Sequence, residues 1–435
     1  MSEWKEADLL HWDEKIGEIA EDFGLDWHPI DYEIIDYQEM LGAMAYVGLP
    51  THYRHWSYGK EYERTHTLYN MGQTGLPYEM IINSNPSIAY LMRENALYIH
   101  ILTMAHCVGH SDFFKNNRMF TDTNPDNIID SFKSSAKYVR KLIEDPSIGI
   151  DRVEAILDAA HSVKYQVPRA PGITYKTQDE LLQLEKLKMT LDSSYIPKLG
   201  KVPLRPEYNI LKFIAEHSKH LAEWERNLIL IVEESSKYFI PQALTKVMNE
   251  GWACTIHEKI IKELNLPDSL YLPFIKLHNQ VIRPHLGQLN PYHLGYTLFQ
   301  KIIDDVGFEE AIAIREVHND ISFLRFYLDE KFMNDHNYFS YSFKKKHKAT
   351  TIDDISDNQG WEAVRDDMIN NIGLNRIPVV YVDEIEKNNV LALVHEHDGR
   401  DLDLQYASKV FEHIKALWGD EIKLISFVEN EIWEF

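Results

Sequence analysis

The run SNPSIAYLMRENALYIHILTMAHCVGHSDFFKN, residues 84–116, constrains the fold more than any other part of the 435-residue chain. With Ser84 or Asn85 as a cap and Pro86 in the first turn, it reads as one helix, apolar for about seven turns and therefore buried. His106 and His110 stand inside it. Residues four apart on a helix are offset by only about 40°, so both imidazoles leave from one face, which Asn95, Ile99, Leu102 and Phe113 continue. Two imidazoles placed this way can meet one cation. The same spacing also suits two core histidines bonded to backbone or carboxylate partners. Gly109 between them leaves room for another helix or a ligand to approach.

A second segment, Asn249-Glu250-Gly251-Trp252-Ala253-Cys254-Thr255-Ile256-His257, reads as a helix with Glu250, Cys254 and His257 on one face. Glu250 and His257 are about 10.5 Å apart along its axis, too far for both to hold one ion. One of them is a ligand at most, and the other a base, a donor or a group behind the ligands. Otherwise Glu250 is salt-bridged and His257 a packed polar residue.

Taken together, the two segments meet the needs of catalytic Zn²⁺, which takes three N or O ligands and an open position for water. His106, His110 and Glu250 are the candidate ligands. The arrangement resembles that of the gluzincin metallopeptidases, but Cys107 stands where those enzymes carry the glutamate that activates water. Either Glu79 or Glu94 replaces it, or His257 does, or the chain has no peptidase chemistry. Cys107 and Cys254 are also candidate nucleophiles, Cys254 lying one turn from both Glu250 and His257.

Around these segments the chain reads as mainly α, with a large helical domain over residues 1–350 and a small α+β domain over 351–435. Helices are expected at 5–23, 126–145, 150–163, 207–225, 226–248, 250–264, 292–304 and around 308–333. Residues 31–85 look loop-rich, with EMIIN as a short strand, and 166–206 looks irregular apart from a charged helix at 177–190. The texture changes at KKKHKATTIDDIS, residues 344–356. Beyond it come a helix at 358–371, PVVYVDEIE and NNVLALVHEHD as a hairpin, the helix LDLQYASKVFEHIKALWG, and a last strand in EIKLISFVENEIWEF.

Composition narrows the classes further. With 45 Lys and Arg against 68 Asp and Glu, the charge of −23 repels phosphate backbones and anionic membrane, so neither nucleic acid nor membrane is an expected partner. Two cysteines exclude a disulfide framework and a four-thiolate zinc site. The start is acidic and amphipathic, and no apolar run approaches the roughly 18 residues of a membrane span, which predicts a soluble cytosolic protein.

The blocks HWSYGKEYE, YEMIINSNPSIAYLM, AHCVGHSDFFKNN, YFIPQALTKVMNEGWA followed by His257, and LNPYHLGY occur in that order. Taken singly, their amides and glycines are the material of caps and turns; converging on the histidine pair, they would line a substrate pocket. In sequence and order they resemble the signature blocks of the stage V sporulation protein R (SpoVR) family, and VFEHIKALWG is similar to that family's C-terminal region. The resemblance implies a cytoplasmic protein of spore cortex formation, found in non-sporulating bacteria beside a serine-kinase partner. It supplies no reaction. Two classes follow: a metal-dependent hydrolase or amide-transfer enzyme acting on a peptide or muropeptide-like precursor, with His257 in acid/base work, or a non-catalytic regulatory scaffold that docks a kinase.

Overall fold

The computed structural model describes residues 4–71, 77, 79–171, 176–191, 194, 200–284, 289–336, 338–344, 349–355, 360–428 and 431–435, with the strands at 339–344 and 349–355 by their backbone alone. The fold is mainly α, with a small mixed sheet near the C-terminus. Among the described residues no helix is long and apolar enough to cross a membrane.

The chain divides into two compact units, the first made of Met1–His52, Trp56–Lys133 and Pro241–Arg376. Its centre is the helix Leu97–Asn116, here called the histidine helix, every residue of which is buried from His100 to Phe114. That helix begins later than the sequence pattern indicates. Ser87–Met92 is instead the middle strand of a three-stranded sheet, parallel to Ile30–Ile35 and antiparallel to Glu79–Ile82. An apolar run buried on all sides carries no period to separate strand from helix, and the polar turn at Arg93 and Glu94 is where one gives way to the other. The EMII strand is where the sequence places it, whereas the stretch expected to be loop-rich also holds Ile30–Ile35 and the helices Tyr37–Ala45 and Trp56–Asn70.

The helix Lys246–Glu263, the glutamate helix, packs against the histidine helix on one side and Pro291–Val306 on the other. Glycines set both approaches. A Cβ on Gly109 would lie 2.8 Å from Ala253 Cα, and one on Gly251 would lie 2.2 Å from the Gly295 carbonyl carbon. Real Cβ contacts are not that short, so the backbones meet only because these positions have no side chain. The expected helix around 308–333 is three short ones, Phe308–Val317, Asp320–Tyr327 and Glu330–Asp335, the last two capped by Asn319 and Asp329.

The second unit comprises Tyr53–His55, Ser134–Ile240 and Ile377–Phe435. Its sheet runs in the order Val379–Ile385, Leu391–Glu396, Ile422–Val428, Glu431–Glu434, antiparallel, then parallel, then antiparallel. The helix Leu404–Trp418 makes the parallel crossover and packs on Gly149–Ser162. Ser218 Oγ donates to Trp418 O at 2.9 Å, and Gln166 Nε2 donates to Pro378 O at 2.8 Å, so residues 134–240 help to close this core. The expected 207–225 helix is shorter, Ile210–His217, and Glu223 already opens the next. The expected boundary at residue 350 falls inside the strand Ala349–Ile355, part of a hairpin that packs with Trp361–Asn370 in the first unit. Residues 345–348 and 356 of the texture change lie outside the described residues.

The glycine contacts generate a direct expectation. Gly295→Ala drives a Cβ to 2.1 Å from Val247 O and should cost about 3 kcal/mol, the top of the range for overpacking. Gly59→Ala, on an open helix face, should leave stability unchanged or slightly raised. Equilibrium urea unfolding of the two variants tests this, and equal midpoints would contradict it.

Candidate metal centre

The glutamate helix is anchored before it presents anything. Thr245 at its N-cap turns its hydroxyl back to Pro241 O, and the open N–H groups of Val247 and Met248 each donate to the Asp320 carboxylate at 2.9 Å. Burial pushes the Asp320 carboxyl up to about 7 against these donors. Further along, Trp252 Nε1 donates to Asp112 Oδ2 at 2.8 Å, while Asp112 Oδ1 takes Arg315 Nη2 at 3.1 Å. The histidine and glutamate helices are thus tied by a buried polar bond as well as by glycine contact.

Between them His106, His110 and Glu250 converge. His110 Nε2 lies 3.5 Å and His106 Nε2 3.7 Å from Glu250 Oε2, and Glu79 Oε1 is 3.2 Å from His106 Nε2. Two ligands bound at about 2.0–2.1 Å in tetrahedral geometry stand about 3.4 Å apart, so these spacings match a shared cation. His106 is 2% and Glu250 5% exposed. His106 Nε2 and Glu250 Oε2 nevertheless have no aligned hydrogen-bond partner. The 3.2 Å approach of Glu79 is an electrostatic contact outside hydrogen-bond alignment. Two buried polar atoms facing one point without an aligned hydrogen bond are costly unless something else meets them there.

The other ring nitrogens are occupied. His110 Nδ1 is 2.8 Å from Asn249 Oδ1, which as an acceptor requires Nδ1–H and leaves Nε2 directed at Glu250. His106 Nδ1 is 2.8 Å from His257 Nδ1. Lys246, one turn before Glu250, pairs with its Oε1. Tyr292, whose ring is 6.4 Å from that of His106, is held protonated by burial and by the nearby Glu250 and Glu79.

The remaining sequence candidates separate. Glu79, at the start of its strand, joins the cluster. Glu94 does not: it sits exposed in the turn before the histidine helix, because the helix begins only at Leu97. His257 faces the far side of His106 rather than the point shared with Glu250. Cys254 is buried within 4.8 Å of ring nitrogens of both His106 and His257. Burial pushes both the Cys107 and Cys254 thiols well up, Glu79 adding to the effect in each case. An activated nucleophile requires the opposite shift.

Of the amide-rich blocks, YEMIINSNPSIAYLM brings Glu79 and LNPYHLGY brings Tyr292 to the cluster, while the asparagines described here close turns and caps. Asn290 caps Pro291–Val306 and ties Val281 O and Arg283 O, Asn117 ties Arg315 O and His318 O, and Asn83 bonds Thr123. Sequence reasoning missed Lys246, Asn249, Tyr292, His278 and Asp320. Lys246 is accessible from its i,i+4 spacing to Glu250, Asn249 from adjacency and Tyr292 from its place in LNPYHLGY, but nothing local marks His278 or Asp320.

The family model described as "SpoVR like protein" matches residues 3–377, and that described as "SpoVR-like C-terminal domain" matches residues 375–429. The chain belongs to the SpoVR-like family. One SpoVR-like relative, "Uncharacterized protein YcgB" of Escherichia coli (strain K12), is 31% identical over 470 residues, which cover 94% of this chain and 90% of the relative. No solved structure gives a significant match.

Charge in the SpoVR-like cluster is balanced internally. Burial alone would raise the Glu250 carboxyl, but Lys246, His106 and His110 outweigh it and hold Glu250 well below 4.5. Burial lowers His110, yet Glu250, Glu79 and Asn249 together carry it above 6.5. A depressed carboxyl contributes stability that is present above 4.5 and lost as pH falls; a raised imidazole contributes stability that is present below 6.5 and lost as pH rises through its raised value. In chelator-treated protein, Glu250→Gln should therefore cost most between these values, about 3 kcal/mol. The gap should narrow on both sides. Denaturant unfolding of wild type and variant from about pH 4 to about pH 9 measures it, and a gap constant with pH would contradict the pairing.

Proposed function

We propose that His106, His110 and Glu250 hold one divalent cation, Zn²⁺ by donor type, and that the chain is a metal-dependent hydrolase or amide-transfer enzyme. The observation that carries this reading is the pair of buried atoms without an aligned hydrogen bond, His106 Nε2 and Glu250 Oε2, turned toward the same point as His110 Nε2. A cation there would polarise a scissile carbonyl and supply a hydroxide from its bound water. Glu79, beside His106 Nε2, takes the role of general base that Cys107 cannot fill, receiving the proton of that water. Tyr292 keeps its phenolic proton and would donate a hydrogen bond to the developing oxyanion.

The substrate class follows from charge and family rather than from the cluster. A chain of net charge −23 disfavours nucleic acid, and membership of a sporulation-associated family favours a soluble peptide or muropeptide-like precursor in the cytoplasm. The rival reading is a regulatory scaffold docking a kinase, in which the polar cluster is structural.

Metal content separates the two. Protein purified without chelator should carry about one equivalent of zinc by plasma mass spectrometry, lost in His106→Ala and His110→Ala. Removing the metal should abolish hydrolysis of a muropeptide, and added Zn²⁺ should restore it. Wild-type protein that stays metal-free after Zn²⁺ addition and desalting would overturn the enzyme reading and favour the scaffold.

A further inference from the structure

His106 is the first member of a chain of three buried imidazoles drawn from three helices of the first unit. Its Nδ1 is 2.8 Å from His257 Nδ1, and His257 Nε2 is 2.7 Å from His278 Nδ1, on the helix Asp268–Val281. His257 is 1% and His278 5% exposed. Phe274 and Tyr296 pack around the His278 ring, and the Tyr296 phenol donates to Glu258, which also pairs with Lys262. Cys254 Sγ also lies within 4.8 Å of the His106 and His257 nitrogens.

Each neutral imidazole carries one N–H, so two nitrogen-to-nitrogen bonds in series leave only two arrangements. In the first, His106 keeps its proton on Nε2, facing Glu79 and Glu250, and its bare Nδ1 accepts from His257 Nδ1–H. His257 Nε2 then accepts from His278 Nδ1–H. In the second, His106 Nε2 is bare, Nδ1–H donates to His257 Nδ1, His257 Nε2–H donates to His278 Nδ1, and His278 carries its proton on Nε2. A cation on His106 Nε2 permits only the second.

The geometry points to His257 and His278 as positioning residues that set the His106 tautomer for the cation, with all three rings inverting together when it binds. The step balances. His106 Nε2 releases a proton to solvent, one proton moves from His257 to His106 and one from His278 to His257, and His278 Nε2 takes one from water. No ring changes charge. This rests on the metal reading above, and it moves His257 from contact with substrate to the far side of a ligand. The groups behind metal-bound histidines are worth roughly 10- to 100-fold in affinity.

Full-length protein with ¹⁵N-labelled histidine tests the proposal, its ring signals assigned by single His→Gln variants and its two-bond ¹H–¹⁵N spectra recorded before and after one equivalent of ZnCl₂. We expect His257 to change from the Nδ1–H to the Nε2–H form, and His278 likewise. His257→Phe should weaken Zn²⁺ binding roughly 10- to 100-fold, and His257→Gln, which can still accept from His106, should recover part of it. Zn²⁺ bound with unchanged tautomers and unchanged variant affinities would overturn this proposal alone. Loss of zinc in Cys254→Ser would also overturn it, since the ion would then sit between His106, Cys254 and His257. Failure of wild type to bind Zn²⁺ would overturn the metal reading and this proposal with it.

Discussion

Backbone contact between helices is the constraint on which the rest of the first unit depends. Gly251 lies against Gly295 and Gly109 against Ala253, which seats the glutamate helix closer to both neighbours than any side chain at those glycines would permit. A side chain at any of these glycines would push two helices apart by more than the slack in a cluster whose polar atoms are 3.2–3.7 Å apart. The polar ties repeat the same restraint. Asp320 holds the first turn of the glutamate helix and Asp112 its second, so Glu250 is fixed in depth and in rotation before its own charge matters.

What that rigidity permits is a buried charge. A carboxylate at 5% exposure would be protonated or expelled without compensation, since desolvation costs several kcal/mol. Lys246 and His110 compensate it in the metal-free protein. They do so unevenly: Oε1 is paired with Lys246, and Oε2 is left facing the two imidazoles without an aligned bond. Half of the carboxylate is satisfied by the fold, and the other half is directed to the point that His106 Nε2 and His110 Nε2 also face. The same asymmetry recurs in the histidines, each with one nitrogen bonded behind it and one turned inward.

How much of this was legible in the chain depended on whether the signal was local. The i,i+4 pair His106/His110 and the separate Glu250 helix were readable because helical spacing alone puts their side chains on one face. The C-terminal hairpin was readable because Lys387-Asn388-Asn389 separates two β-branched runs. The start of the histidine helix was not, because a strand buried on both faces and a buried helix look alike in an unbroken apolar run, and Ser87–Met92 was absorbed into its neighbour. Glu94 stands exposed in the turn that separates the strand from the helix. His278 and Asp320 reach the site from helices whose packing no local pattern encodes. Seven residues of helical rise, about 10.5 Å, separate His257 from Glu250 along the axis, and the structure puts His257 behind His106.

On the reading proposed above, the inward-facing atoms of His106, His110 and Glu250 are a cation site and not a packing remnant. Crystals of the full chain grown with Zn²⁺ and measured on both sides of the zinc absorption edge test it most directly. One anomalous peak is expected about 2.0–2.2 Å from His106 Nε2, His110 Nε2 and Glu250 Oε2. No peak at that position, with the same side chains bonded to one another or to water, would contradict it.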